Sequence, residues 1–162
     1  MNTVISKFEQ LTSFFNHLKQ IDSDTFYEPI DDNKWSTAAI VAHFHYWDQK
    51  IASERLPVMI SGGKTNGWDG TVEAVNRRAA TYARTRSMQE LIDQAIVSRL
   101  KLAERLHACN LATEFQVDQK TYSILEYVEM LCKHDEQHVK EVASFLYSSY
   151  IGESIHSLQI NS

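Results

Sequence analysis

The sequence predicts an all-α four-helix bundle, and three observations carry that prediction. Only five Gly and two Pro punctuate 162 residues, and they cluster between long helical patterns. Four of those patterns are amphipathic, with apolar residues recurring at i, i+3 and i+4. No segment alternates apolar and polar residues with period two for long enough to suggest a sheet. A chain of this length suits one domain, expected over residues 1–150, with 151–162 as a loosely held tail.

The first helix is expected over residues 2–20, with Val4, Phe8, Leu11, Phe15 and Leu18 on its apolar stripe. A polar connection containing Pro29 follows. The second helix starts at Ser36, a good N-cap residue, and is expected to end near Arg55, before Pro57. Its stripe is Ile40, His43/Phe44, Trp47 and Ile51. Residues 61–70, SGGKTNGWDG, are the most glycine-rich in the chain and read as a loop. Residues 71–84 look helical but only weakly amphipathic. Ser87 and Glu90 form a capping box that opens the third main helix, running to about Cys109. Ser123 and Glu126 offer another for the last helix, expected to end near Tyr150.

The connections are unequal, and that sets the topology. About 15 residues join the first two main helices and about 11 the last two, whereas about 30 separate the second from the third. A connection of that length can travel the bundle and leave its flanking helices parallel. The expectation is an up-down-down-up bundle with the long crossover between the second and third main helices. The second and fourth are then antiparallel.

Composition excludes some partners. With 16 basic against 21 acidic residues the net charge is -5, which disfavours nucleic acid and anionic membranes as general ligands. Arg77, Arg78, Arg84 and Arg86 form a local basic run that reads as a solvated helix face. The N-terminus lacks the pattern of a signal peptide, and no run is apolar enough for a membrane helix. Cys109 and Cys132 show no CxxC spacing and read as reduced thiols, so a cytoplasmic location is expected.

The last long helix carries HDEQH at residues 134–138. Residues i and i+4 share a helix face, so His134 and His138 can point at one spot, as when one helix gives a metal two ligands. His43 is the best-placed third histidine, because it continues the stripe of the second helix while His45 points away. The heights agree too. His43 lies about 12 residues before the end of its helix and His134 about 12 after the start of its own, so antiparallel helices bring them level. Parallel helices would separate them by roughly 8 to 13 Å. The alternative is a set of half-exposed structural histidines, each hydrogen-bonded locally. HDEQH also approaches the metalloprotease pattern HExxH, but Asp135 stands at the glutamate position and shortens the base.

Trp35-Ser36 followed by AAIVAHFHYWD, the stretch VNRRAATYARTRSMQELI and the block HDEQHVKEV together resemble the DinB/YfiT-like family. The resemblance covers most of residues 1–150. It implies a four-helix bundle with a divalent metal held by His43, His134 and His138. It also implies homodimers and a metal-dependent enzyme, either a thiol-dependent S-transferase or a hydrolase acting on a small electrophile. The alternative is a catalytically silent metal-binding or structural bundle.

Three neutral imidazoles suit Zn or Ni and leave open positions. Such an ion lowers the pKa of bound water or deprotonates a coordinating thiol, so a low-molecular-weight thiol is a candidate co-substrate. Asp48, Asp135 and Glu141 are candidates to orient a ligand histidine, or are plain exposed charges. Trp47, Phe44, Tyr127 and Phe145 share faces with the histidines and could line a pocket or simply pack. Asn76 is expected to reach the pocket from residues 71–84, with Arg77 or Arg78 able to meet an anionic thiol.

Overall fold

A computed structural model describes the backbone of residues 2–160 and the side chains of residues 2–152. The first bundle helix comprises α1 (Thr3–Glu9) and α2 (Leu11–Leu18), and a short α3 (Ser23–Tyr27) follows. The expected single first helix is kinked at Gln10, whose N–H is shared between the Ser6 and Lys7 carbonyls. Thr12 Oγ1 donates to the Glu9 carbonyl at 2.9 Å. Such back-bonding competes with the helical ladder and bends it.

The second bundle helix opens with α4 (Thr37–Lys50), capped by Ser36 Oγ accepting from Ala39 N. It does not end at Arg55 as expected. Residues Ile51–Arg55 widen into a π turn, and α5 (Leu56–Ser61) carries on through Pro57. Pro57 has no N–H to give, and its ring crowds the carbonyl four residues back. The chain accommodates this by letting Leu56 N–H reach Ile51 O, one residue further than an α-helix would. Gly62, in the left-handed region at φ 64°, then stops the helix.

The crossover holds β1 (Lys64–Thr65) and a lateral helix α6 (Val72–Ala83). Next comes α7 (Met88–His107), opened by a complete Ser87–Glu90 capping box. The last helix is α8 (Ile124–Ile160), where Ser123 and Glu126 also cap reciprocally. Its backbone runs ten residues beyond the expected end, through most of the predicted tail. Asn161 and Ser162 lie outside the described residues.

A small sheet contradicts the expectation of none. β2 (Glu114–Val117) and β3 (Lys120–Ser123) form an antiparallel hairpin, and β1 adds to β2 in parallel. The hairpin turns at Asp118, whose φ is 52°. Four-residue strands are too short for a period-two signal to stand out.

Cross-helix contacts establish the helix directions. Lys19 pairs with Asp93, and Phe8 O with Arg99, so the first helix and α7 are antiparallel. His45 meets Ser98 and Arg105 meets Ala52, so α4 and α7 run parallel. Asp48 and Asp135 share Arg99, while Arg55 lies against Tyr127, so α4–α5 and α8 are antiparallel. The arrangement is up-down-down-up, as expected.

The interior falls into two apolar clusters. Phe44, Ala95 and Val142 belong to one, and Ile51, Leu102 and Cys132 to the other. Between them lies a polar layer made of Asp48, Arg99, Asp135 and the histidines. Each fully buried aromatic or aliphatic side chain in the clusters contributes roughly 1.5–3 kcal/mol. The polar layer therefore sits between two apolar blocks that stabilise the bundle without it.

Candidate metal centre

His43 comes from the middle of α4 and is 4% exposed, whereas His134 and His138 lie one turn apart on α8, half-exposed and partly buried. One ring nitrogen from each lies within 4.8 Å of the others. The Nε2 atoms of His134 and His138 are 3.2 Å apart. Two imidazoles on a tetrahedral zinc at 2.0–2.1 Å would have nitrogens about 3.3 Å apart. The pair therefore already stands at ligand spacing.

Hydrogen bonds select the free nitrogen of two of the rings. Trp47 Nε1, which can only donate, is 2.9 Å from Asn76 Oδ1, so the amide atom turned inward is the oxygen. His43 Nδ1 lies 3.0 Å from the same oxygen and must donate to it. That leaves His43 Nε2 with a lone pair, and this atom is buried without a partner. His138 Nδ1 lies 3.3 Å from Glu141 Oε2, which likewise leaves its Nε2 as the acceptor nitrogen. Asn76 and Glu141 thus hold ligand histidines by their far nitrogens. Burial, and then the neighbouring His138, push the His43 pKa down to about 3, against the pull of Asn76. Burial and His138 also lower His134. Neutral rings are the form a metal takes.

The two aspartates do something else. Arg99 Nε and Nη2 donate to Asp48 at 2.8 and 3.0 Å, and Nη1 donates to Asp135 Oδ2 at 2.6 Å and to Phe8 O at 3.2 Å. His134 Nδ1 is 4.0 Å from Asp135 Oδ1, too far for a hydrogen bond. Asp48 and Asp135 are therefore spent on a buried arginine and orient no histidine through a direct hydrogen bond. Burial pushes the Asp48 carboxyl up to about 6 against the pull of Arg99, which leaves it ionised at neutral pH. Burial opposes the Arg99 charge, but Asp48 and Asp135 together hold it above the ordinary arginine range.

A cavity of about 440 Å³ opens onto the three histidines. Trp47, Asn76 and Tyr127 line it, as does Phe44, while Phe145 lies outside. Its wall also includes Trp68, supplied by the glycine-rich loop at residues 61–70. Trp68 packs against Trp47 with ring centroids 5.5 Å apart and covers Arg55, whose guanidinium carbon is 4.1 Å from the indole centre. Arg77 and Arg78 are exposed, and Arg77 pairs with Glu73 at 3.0 Å. His45 faces Ser98 on α7, at 2.6 Å, away from the cluster.

Sequence reasoning missed Arg99, Arg55 and Trp68. Arg99 was legible in principle: it stands four residues after Ala95 and three before Leu102, on the buried stripe of α7. Arg55 lay at an assumed helix end. Trp68, an aromatic among glycines, carried a signal that loop assignment discards.

The fold and site define an up-down-down-up helix bundle with three histidines converging in its middle layer, able to hold one metal ion. The chain belongs to the DinB superfamily, whose family model matches residues 9–142. A solved structure, YfiT from Bacillus subtilis, superposes with a TM-score of 0.73 at 11% identity, covering 92% of this chain and 86% of that one. YfiT is described as a probable metal-dependent hydrolase with an unusual four-helix bundle topology. At that identity the likeness speaks for the fold alone. Among curated proteins none matches.

Proposed function

We propose that this chain is a metal-dependent enzyme that binds one divalent ion, Zn or Ni, through His43, His134 and His138 and acts on a small electrophilic molecule. The observation that carries the reading is the buried, partnerless Nε2 of His43, set beside two Nε2 atoms already at ligand spacing. A buried polar atom without a partner costs about 1–3 kcal/mol, a penalty that ligation removes. Bound there, the ion supplies Lewis acidity that makes a water or a thiol nucleophilic at neutral pH. Asn76 and Glu141 hold their rings with Nε2 forward. The aromatic walls around Trp47 and Tyr127 limit water and suit an apolar reactant. Hydrolysis and thiol S-transfer both fit this arrangement, with a low-molecular-weight thiol as co-substrate in the second. The free thiols of Cys109 and Cys132 accord with a reducing, cytoplasmic setting. A homodimer is the assembly we expect.

Metal content of the purified protein tests the reading directly. One ion per chain is expected, lost from His43→Ala, His134→Ala and His138→Ala but kept in His45→Ala. Turnover of a chromogenic ester, and of a simple thiol with a chromogenic electrophile, then separates hydrolase from transferase. Full metal in all three histidine variants would refute the site. Full metal with no turnover of either kind would favour the catalytically silent bundle.

A further inference from the structure

We propose that Arg55, beneath the indole of Trp68 at the far end of the metal cavity, is the receptor for an anionic group, a carboxylate, of the substrate. The inference rests on the metal-enzyme reading above and names the substrate class: a small electrophile or thiol bearing a carboxylate remote from its reacting atom.

Three cations stand in or behind the cavity wall, and two of them are already matched. Arg99 is held by Asp48, Asp135 and Phe8 O. Lys50 is held by both oxygens of Glu54 at 2.8 and 2.9 Å. Arg55 is different. It is 1% exposed, its Nε and Nη1 are buried with no partner, and among the described residues no carboxylate lies within ion-pair distance. What it touches is aromatic: the Trp68 ring at 4.1 Å and the Tyr127 ring at 5.8 Å from its guanidinium carbon. Both rings line the cavity, so the guanidinium lies directly behind its wall. A cation–π stack lowers the cost of holding that charge but leaves its donors unused.

Arg55 also stands in an irregular part of its helix. Arg55 closes the π turn that precedes Pro57, and such one-turn π segments are frequently found at functional sites. Trp68 stands between Gly67 and Gly70, the latter at φ 78°, so the backbone beside it tolerates rotations that other residues resist. Gly67 donates its N–H to Asp118 Oδ1 at 3.0 Å, which anchors one side of the loop. Along α8, Tyr127 precedes His134 by seven residues, roughly 10 Å. A molecule reacting at the histidines can thus place a carboxylate at Arg55, with Trp68 moved from cover to side wall.

The test compares benzoate with benzamide, two probes of one shape that differ in charge. Binding is read from tryptophan fluorescence and calorimetry, with Trp68→Phe assigning the signal. Wild-type protein is expected to prefer benzoate by about tenfold or more, the worth of a charge-assisted pair out of water. Arg55→Met should abolish the preference and leave the melting temperature equal or higher, because an unpaired buried charge has been replaced by an apolar side chain. Arg55→Lys should keep part of the preference. Equal affinity for both probes in the wild type, as when a bound water satisfies Arg55, overturns the proposal. So does a preference that survives in Arg55→Met, and so does a marked loss of stability there with the preference intact. A preference lost in His134→Ala but kept in Arg55→Met places the carboxylate on the metal and also overturns it. Absence of metal from the wild type would instead refute the enzyme reading, while an Arg55-dependent benzoate preference would still stand.

Discussion

Asn76 Oδ1 accepts from both His43 Nδ1 and Trp47 Nε1, so a single side chain sets the tautomer of the most deeply buried ligand. Asn76→Ala leaves that ring free to rotate or to carry its proton on Nε2, the atom a metal needs. We expect a 10- to 100-fold loss of metal affinity with the fold intact, read by competition with a chromogenic chelator. Unchanged affinity would reduce Asn76 to a cavity wall, the role its position in the sequence suggested. The same histidine governs acid stability. Its pKa is depressed to about 3 in the folded protein from 6.5, so between those values the unfolded chain binds more protons. The His43 contribution is therefore fully present above pH 6.5 and is lost as pH falls toward 3. Relative to His43→Leu, the metal-free wild type should lose at most about 5 kcal/mol of stability across that window, by urea titration at several pH values. A difference that does not change with pH would contradict the burial of this ring.

Among the helices, α7 contributes no ligand yet crosses the polar layer with Arg99. Arg99 ties Asp48 on the helix of His43 to Asp135 beside His134, so it couples the two elements that hold the cluster. Arg99→Met removes the one cation that, among the described residues, pairs with both buried carboxylates. A loss of about 3–5 kcal/mol is expected in chemical denaturation, with Asp48→Asn raising the double variant part of the way back. A loss below about 1 kcal/mol would show that water reaches the layer. This coupling was hidden in the sequence because a bundle's interior is expected to be apolar and helix charges are assigned to solvent. Helix starts were legible, since Ser36, Ser87 and Ser123 are local caps that need no tertiary partner. The passage through Pro57 was not, because a π turn is a backbone accommodation with no side-chain pattern of its own.

The bundle as a whole was legible through connection lengths. A crossover expected at about 30 residues permitted parallel neighbours, and the heights of His43 and His134 agreed with that topology, although they were counted from a helix end at Arg55 that the structure moves to Ser61. The hairpin Glu114–Ser123 was illegible because its strands have only four residues each, and its parallel partner Lys64–Thr65 because that pairing joins segments some fifty residues apart. What the topology achieves is a polar, histidine-bearing layer between two apolar clusters, each drawing on several helices. Stability should therefore depend on the metal without requiring it. Ligation of the native state alone, at a free ion concentration a hundredfold above Kd, adds about 2.7 kcal/mol. For a chain of this size each kcal/mol moves Tm by about 2–4 °C, so chelation should lower Tm by roughly 5–10 °C. The chelated protein should keep its helical circular dichroism and a cooperative transition, since neither apolar cluster includes a ligand histidine. A chelated sample with random-coil circular dichroism would mean that the ion organises the fold, and the centre would then have to be understood as structural.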